Sequence, residues 1–130
     1  MAVNKTSLSA GSIIRAVLLA DAEVKSRINK IFPVIADKAE LPYIVYRRSE
    51  MEVAPVKVGQ KGADTLQMEV LCYAASYGDG VELAEAVRGA LDLKSAGYEG
   101  LQMRGCYLCG GEEGFENDAF FQQLIFNIKI

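Results

Sequence analysis

Apolar side chains recur at helical spacing near the N-terminus. A helix is predicted there, with one apolar face formed by Ile13, Ile14, Val17 and Leu18. Ser7 or Ser9 can cap this helix by accepting a hydrogen bond from a free amide of its first turn. Asp21 can cap a second, short helical turn that extends to Ile28. We therefore expect two helical segments before the first strand, preceded by a loose stretch at residues 1–6.

The spacing of apolar residues changes to that of strands in the middle of the chain. Residues 31–35 are apolar but contain Pro33, which has no amide hydrogen to give to a ladder, so they predict an edge strand. Residues 43–48 are aromatic and β-branched and predict a second strand. Residues 65–74 alternate and predict a half-buried strand, whose apolar face carries Leu66, Met68, Val70, Cys72 and Ala74.

The last third of the chain predicts a helix and two further strands. After a turn at residues 77–80, Asp79 and Glu82 resemble a capping box that opens a helix running to about Leu93. Residues 101–108 predict a strand, residues 110–114 a glycine-rich turn, and residues 119–130 a closing strand. One face of the closing strand carries Phe120, Leu124, Phe126, Ile128 and Ile130.

This order of elements predicts an α+β fold in a single domain covering residues 1–130. Turns join neighbouring strands, so we expect an antiparallel β-sheet with two main helices packed on one face. The least regular segment, residues 50–62, is expected to form a long, protruding hairpin arm. Its apolar and basic side chains would be costly to order without a partner, so we expect them to contact a neighbouring subunit or another protein. The candidate contacts are Met51, Val53, Val56, Lys57, Val58 and Lys61.

Composition excludes several classes of function. The 130 residues are 51% hydrophobic and 24% charged, as in folded proteins, and no stretch is apolar enough for a membrane span. Histidine is absent, which removes the commonest general base and the commonest metal ligand. The net charge is −3, which argues against binding nucleic acid by bulk charge. Residues 1–30 carry five basic and two acidic side chains, whereas residues 61–130 carry five basic and eleven acidic ones.

Three groups of residues are candidates for chemical sites. Cys106 and Cys109 form a C-x-x-C motif, but the segment predicts a strand rather than the helix N-terminus that activates a redox thiol, and a zinc site would need four ligands. The acidic residues Glu112, Glu113, Glu116 and Asp118 fit no calcium loop. Arg47 and Arg48 adjoin two tyrosines but are too few to define a nucleic-acid patch. No catalytic, cofactor-binding or metal-binding residue is predicted.

Four stretches carry a family resemblance when taken in order. They are a helix followed by aspartate at residues 12–21, an IFP…LPYIVY core within residues 31–46, a strand leading through A-x-S-Y into a helix at residues 67–88, and the closing strand at residues 120–130. Together they resemble the phage tail-completion, or tail-terminator, proteins, also called tail-to-head joining proteins. The resemblance spans nearly all of residues 12–130, and the Cys106–Cys109 pair lies outside its pattern.

The resemblance implies a structural role without catalysis or a cofactor. Members of this family assemble, usually as hexameric rings, on the head-proximal end of a tail tube, stop its growth and join it to the head. The implied partners are further copies of the chain, the tail-tube protein and the head-completion or connector protein. DNA would pass through the lumen without specific binding. The implied location is the virion tail, with the host cytoplasm as the place of assembly.

Two other functions remain open from the sequence. The chain could be a small α+β module that binds a ligand or regulates a partner through its sheet, which would require a deep apolar pocket. It could also be a thiol oxidoreductase that uses Cys106 and Cys109, which would require an activated thiolate.

Overall fold

The computed structural model describes Val3, residues 5–54 and residues 64–130. Most of the expected arm and part of the N-terminal stretch 1–6 lie outside these residues. The described elements follow in chain order: a 3-10 turn (Ser7–Ser9), α1 (Ala10–Ala20), α2 (Ala22–Lys25), β1 (Lys30–Pro33), β2 (Tyr43–Glu52), β3 (Thr65–Ala74), α3 (Tyr77–Leu91), β4 (Ala96–Tyr98), β5 (Leu101–Met103), β6 (Gly105–Glu116) and β7 (Ala119–Lys129).

Among the described residues, the main sheet has five strands in the order β1-β2-β3-β7-β6, and β4 pairs with β5 in a small separate hairpin. The predicted α+β class is confirmed. The expectation of a wholly antiparallel sheet is wrong, because β1 runs parallel to β2 whereas the other neighbours in the main sheet are antiparallel. Strand β1 has only four residues, about 13 Å of chain. Residues 34–42 can therefore span the length of β1 and bring the chain back to the start of β2, which runs parallel to it.

The core lies between the helices and one face of the main sheet, here called the inner face. On β3 this face carries the alternating residues that the sequence predicted, all with 0 or 1% of their surface exposed. Phe126 and Ile128 of β7 continue it, and Ile13, Ile14 and Leu18 of α1 cover it. The prediction that two main helices lie on one side of the sheet is confirmed.

Helix caps agree with the sequence at one helix and differ at two. Asp21 accepts a hydrogen bond from the Val24 amide at 3.0 Å and caps α2 as predicted, although that helix ends at Lys25. Helix α3 begins earlier than predicted because Ser76 is its cap and accepts from the Asp79 amide at 3.2 Å. Thr6, rather than Ser7 or Ser9, caps the N-terminal 3-10 turn. No helix among the described residues is long and apolar enough to cross a membrane.

The predicted turn at residues 110–114 is wrong, because β6 continues through it to Glu116. The β6–β7 hairpin turns instead at Asn117 and Asp118, whose φ angles of 51° and 59° suit a two-residue turn of left-handed residues. The ring of Phe121 lies against Gly114 and fills the space that a side chain would occupy. Glycine within β6 thus serves close packing of neighbouring strands rather than a change of chain direction.

Candidate assembly surface

The described residues on either side of the expected arm lie at the end of the β2–β3 hairpin, and Met51 to Ala54 together with Asp64 are here called the root of the arm. Glu52 pairs with Thr65 as the last register pair of the two strands. Met51 and Val53, two of the predicted contact residues, are exposed by 37% and 59%. The other four, Val56, Lys57, Val58 and Lys61, lie outside the described residues. The root of the arm therefore presents apolar side chains to solvent, as a contact surface requires.

Asp64 fixes the root of the arm. Its carboxylate accepts a hydrogen bond from the Ser7 hydroxyl at 2.5 Å and from the Ala54 amide at 3.2 Å. Its backbone exchanges two hydrogen bonds with Ile130, at 2.8 and 3.0 Å. The root thus joins the N-terminal turn, both sides of the hairpin and the chain terminus. Sequence spacing gave no signal for this site because its members are far apart along the chain.

The outer face of the main sheet, opposite the helices, carries a row of aromatic rings. Tyr43 stacks on Tyr73 with centroids 4.8 Å apart, and Phe32 and Phe121 extend the row at 5.9 and 6.1 Å. Burial, followed by the nearby Glu116 carboxylate, raises the pKa of Tyr73 to about 12. The tyrosines therefore stay neutral at physiological pH and act as packing and hydrogen-bonding groups.

An ion pair between the buried Glu69 carboxylate and the half-exposed Arg47 guanidinium lies beside this aromatic row. Glu69 is only 5% exposed, and its carboxylate is 2.8 Å from Nε of Arg47 and accepts a hydrogen bond from Gln123. Arg48 donates to the Leu8 carbonyl at 3.5 Å. Both arginines that the sequence analysis weighed as nucleic-acid contacts thus have partners within the chain, and Arg47 neutralises a buried charge.

Strand β6 forms one edge of the main sheet, and its first half is covered. The Leu93 amide donates to the Cys106 carbonyl at 2.7 Å, and the Leu108 amide donates to Oδ1 of Asp92 at 2.9 Å. The Leu108 amide, followed by Arg88, lowers the pKa of the Asp92 carboxyl. The residues after α3 therefore cap the edge as far as the β-bulge between Leu108 and Gly110.

The second half of β6 carries Glu112, Glu113 and Glu116, three of the four acidic residues that fit no calcium loop. Glu113 accepts hydrogen bonds from Gln122 at 2.6 Å and from the Tyr77 hydroxyl at 2.9 Å, and these bonds lower its pKa. Glu112 and Glu116 are exposed. Arg88 and Glu85 of α3 line a cleft of about 350 Å³ beside this strand. The edge is thus acidic, exposed and bordered by an open cleft.

The cysteine geometry argues against thiol exchange. Cys106 is buried in the core, whereas Cys109 lies exposed at the bulge, and all three cysteines are free. Burial, followed by the charges of Asp92 and Cys109, raises the pKa of Cys106 to about 12. An attacking thiol needs a lowered pKa. The environment of Cys106 therefore suits a packing residue.

Two clefts fit a small-molecule pocket poorly. The cleft beside β6 is open to solvent and includes four charged side chains, and a second, of about 400 Å³ at the end of the β2–β3 hairpin, includes Glu50, Glu52 and Gln67. Ligand pockets are predominantly apolar with few polar groups. Within residues 5–54 and 64–130, no three acidic or cysteine side chains cluster as metal ligands would.

Comparison with known proteins identifies the family. The family model described as "Tail completion protein gp17" matches residues 12–130. The chain belongs to this family. It is therefore a structural subunit of a phage-like tail, and it assembles with other tail and head components of the virion.

A solved structure shares the fold of this tail completion family member. A chain of the "Virion of native gene transfer agent (GTA) particle" superposes with a TM-score of 0.73 at 14% sequence identity. The match covers 95% of this chain and 98% of that chain. No curated protein matches the sequence significantly. At this identity the likeness shows the fold, so surfaces of the tail subunit have to be argued from its own residues.

Proposed function

We propose that this tail subunit terminates growth of the tail tube and joins the tail to the head connector as an oligomeric ring. The observation that carries the proposal is the match of the tail completion family over residues 12–130. The solved chain that shares the fold belongs to the virion of a gene transfer agent particle, which supports a place in a virion. The role is mechanical: it depends on contacts between subunits and with the tube and connector.

A ring follows when two unlike surfaces of each copy meet with a rotation that closes. The root of the arm and the acidic edge of β6 are two such surfaces. The arm carries Lys57 and Lys61, and β6 carries Glu112, Glu113 and Glu116. Opposite charges on unlike surfaces favour head-to-tail contact between copies and disfavour contact between like surfaces.

The proposed subunit and partner contacts are the six arm residues Met51, Val53, Val56, Lys57, Val58 and Lys61. Met51 and Val53 are exposed where the arm leaves the sheet. Fully burying one exposed valine contributes about 1.5–3 kcal/mol, so three valines supply a useful part of a subunit contact. The lysines add charge selectivity toward an acidic neighbour.

DNA is expected to pass through the ring without specific binding. Each phosphate contact by lysine or arginine strengthens DNA binding and would slow passage. The chain has a net charge of −3, and Arg47 is already paired with Glu69. Filter binding of the purified ring to duplex DNA at about 0.15 M salt should therefore detect no retention above a neutral control protein.

The ring is tested by the mass of the full chain and by its effect on tubes. Analytical ultracentrifugation and native mass spectrometry should detect a closed multimer near six copies, alone or after addition of tail-tube ends. Tubes polymerised from the cognate tube subunit should stop growing when the chain is added. Tubes that lengthen unchanged in its presence, with the chain remaining monomeric, would overturn the proposal.

The arm is tested by shortening it without disturbing the sheet. Since Asp64 anchors the root and Glu52 is the last paired residue of β2, residues 55–63 should be replaced by Gly-Gly. We expect the circular dichroism spectrum to be kept and the multimer to be lost. Glu82→Ala in the chain with an intact arm, at an exposed position of α3, is the control and should leave assembly unchanged. A shortened chain that forms the same multimer would refute the arm contact.

A further inference from the structure

The second half of β6 offers a free strand edge. In an antiparallel ladder, alternate residues direct both backbone groups to one neighbour and the intervening residues direct theirs away. Cys106 and Leu108 direct theirs away from β7, because they bond Leu93 and Asp92. Their register partners on β7 are Ile128 and Phe126. Each residue of β6 that pairs with an even-numbered residue of β7 therefore directs its backbone amide and carbonyl away from β7.

The β-bulge between Leu108 and Gly110 shifts this alternation on β6 by one residue. Beyond it, the even-numbered β7 residues Leu124, Gln122 and Phe120 pair with Gly111, Glu113 and Phe115. These three residues of β6 therefore direct their amides and carbonyls toward the free edge. Among the described residues, no strand pairs with this side of β6. Exposed, unpaired edges of this length invite the addition of another strand.

We propose that this edge, Gly111 to Phe115, accepts residues 56–61 from the arm of a second copy as an added strand. The proposal rests on the ring proposed above and names the surface that receives the arm. Strand addition gains affinity from backbone hydrogen bonds and specificity from the side chains on either side. Outward groups at three alternate residues of β6 match a segment of about this length.

Charge and side-chain type favour the arm as the occupant. Residues 56–61 read Val-Lys-Val-Gly-Gln-Lys, with two β-branched residues, two lysines and no acidic side chain. The receiving strand carries Glu112 and Glu113 and no basic residue from Gly105 to Glu116. Phe115, at 59% exposure, adds an apolar surface that valine side chains can cover.

Strand β1, at the other edge of the sheet, is a poorer candidate than the arm for the strand added to β6. Strand β1 has four residues and ends at Pro33, which has no amide to donate. Beyond it, the backbone turns away at Val34, whose φ is 64°. Few ladder bonds could therefore form between β1 of one copy and β6 of the next.

A proline substitution tests the edge without removing any bond inside the subunit ladder. Glu113→Pro removes an amide that faces outward, whereas Glu113→Ala keeps the amide and loses the same side-chain bonds to Gln122 and Tyr77. By sedimentation, Glu113→Pro should associate at least about tenfold more weakly than Glu113→Ala, because both variants lose the same carboxylate and only the proline variant also loses the amide. A Glu113→Pro monomer that melts at the same temperature as the Glu113→Ala monomer would show that the proline variant still folds.

Disulfide trapping tests the occupant through the native Cys109, which is exposed on β6. Under mild oxidant, Lys57→Cys should give covalent dimers and higher multimers on non-reducing gels, and none when Cys109 is replaced by serine. Lys30→Cys, on the β1 edge, is the matched control and should give none.

The outcomes distinguish three claims: that the arm is the added strand, that β6 accepts an added strand, and that the chain forms a ring. Trapping from Lys57→Cys together with loss of assembly in Glu113→Pro supports the arm on β6. Trapping from Lys30→Cys instead would assign the edge to β1 of the neighbour. A normal multimer for Glu113→Pro without any trapping would overturn strand addition and leave the ring standing. A wild type that stays monomeric, even with tube ends present, would overturn the ring itself.

Discussion

Phe126 is the most informative position for testing the sheet that carries both proposed surfaces. It has 0% of its surface exposed and lies on β7, between Met68 of β3 and Leu108 of β6 in the register. Phe126→Ala removes the ring from the inner face at the point where three strands meet. The substitution leaves the backbone ladder and the surface charges unchanged.

The loss of folding free energy caused by Phe126→Ala has two sources. Returning a buried aromatic side chain to water costs about 1.5–3 kcal/mol. The cavity that remains adds to this, because neighbours on adjacent strands relax only partly, and the total for such truncations is about 3–5 kcal/mol. For a chain of this size, the loss lowers the midpoint of thermal unfolding by about 10–20 °C.

Urea unfolding followed by circular dichroism measures this free energy directly. The matched control is Phe115→Ala, which makes the same chemical change at a residue that is 59% exposed. It should cost less than about 1 kcal/mol in the monomer. Equal losses from the two substitutions, or an unchanged melt for Phe126→Ala, would refute the register of β7 and with it the phase assigned to β6.

Two further predictions concern polar groups that hold the proposed surfaces in place. Asp64→Ala should destabilise the fold by about 1–3 kcal/mol in urea, because Ser7 and Ala54 lose their shared acceptor at the root of the arm. Asp92 has a lowered pKa because its carboxylate accepts from the Leu108 amide, so its stabilisation is present above its ordinary pKa and is lost as the pH falls below it. The free energy of unfolding of the wild type, relative to Asp92→Asn, should therefore decrease from about pH 5 to about pH 2.

Strands with an unbroken alternation were predicted from the sequence, and those without it were not. On β3 and on the second half of β7, from Leu124 to Ile128, every second residue belongs to the buried inner face, so a period of two marks this face. In β6, the bulge near Cys109 shifts the alternation by one residue, and Gly110, Gly111 and Gly114 contribute no side chain to the pattern. The same glycines are common in turns, and this explains the error.

Local sequence patterns do not predict which distant segments of the chain pair with each other. The parallel pairing of β1 with β2 depends on how residues 34–42 return, and no residue type in that stretch specifies the direction. The cap of α3 shows the same limit on a smaller scale, since Ser76 and Asp79 are both good capping residues and only the structure distinguishes them. Of the candidate site, the exposed root of the arm was predicted, whereas its anchor at Asp64 and the edge of β6 were not.

The acidic edge of the sheet at β6 suggests why assembly would close into a ring rather than stop at a dimer. Two copies of an exposed strand can pair with each other about a twofold axis and form a closed dimer. On β6 this pairing would bring Glu112, Glu113 and Glu116 of one copy against the same residues of the other. Like charges directly opposite one another on paired strands are destabilising. The acidic edge therefore disfavours pairing with itself and favours a basic segment from elsewhere on the next copy, which propagates head to tail.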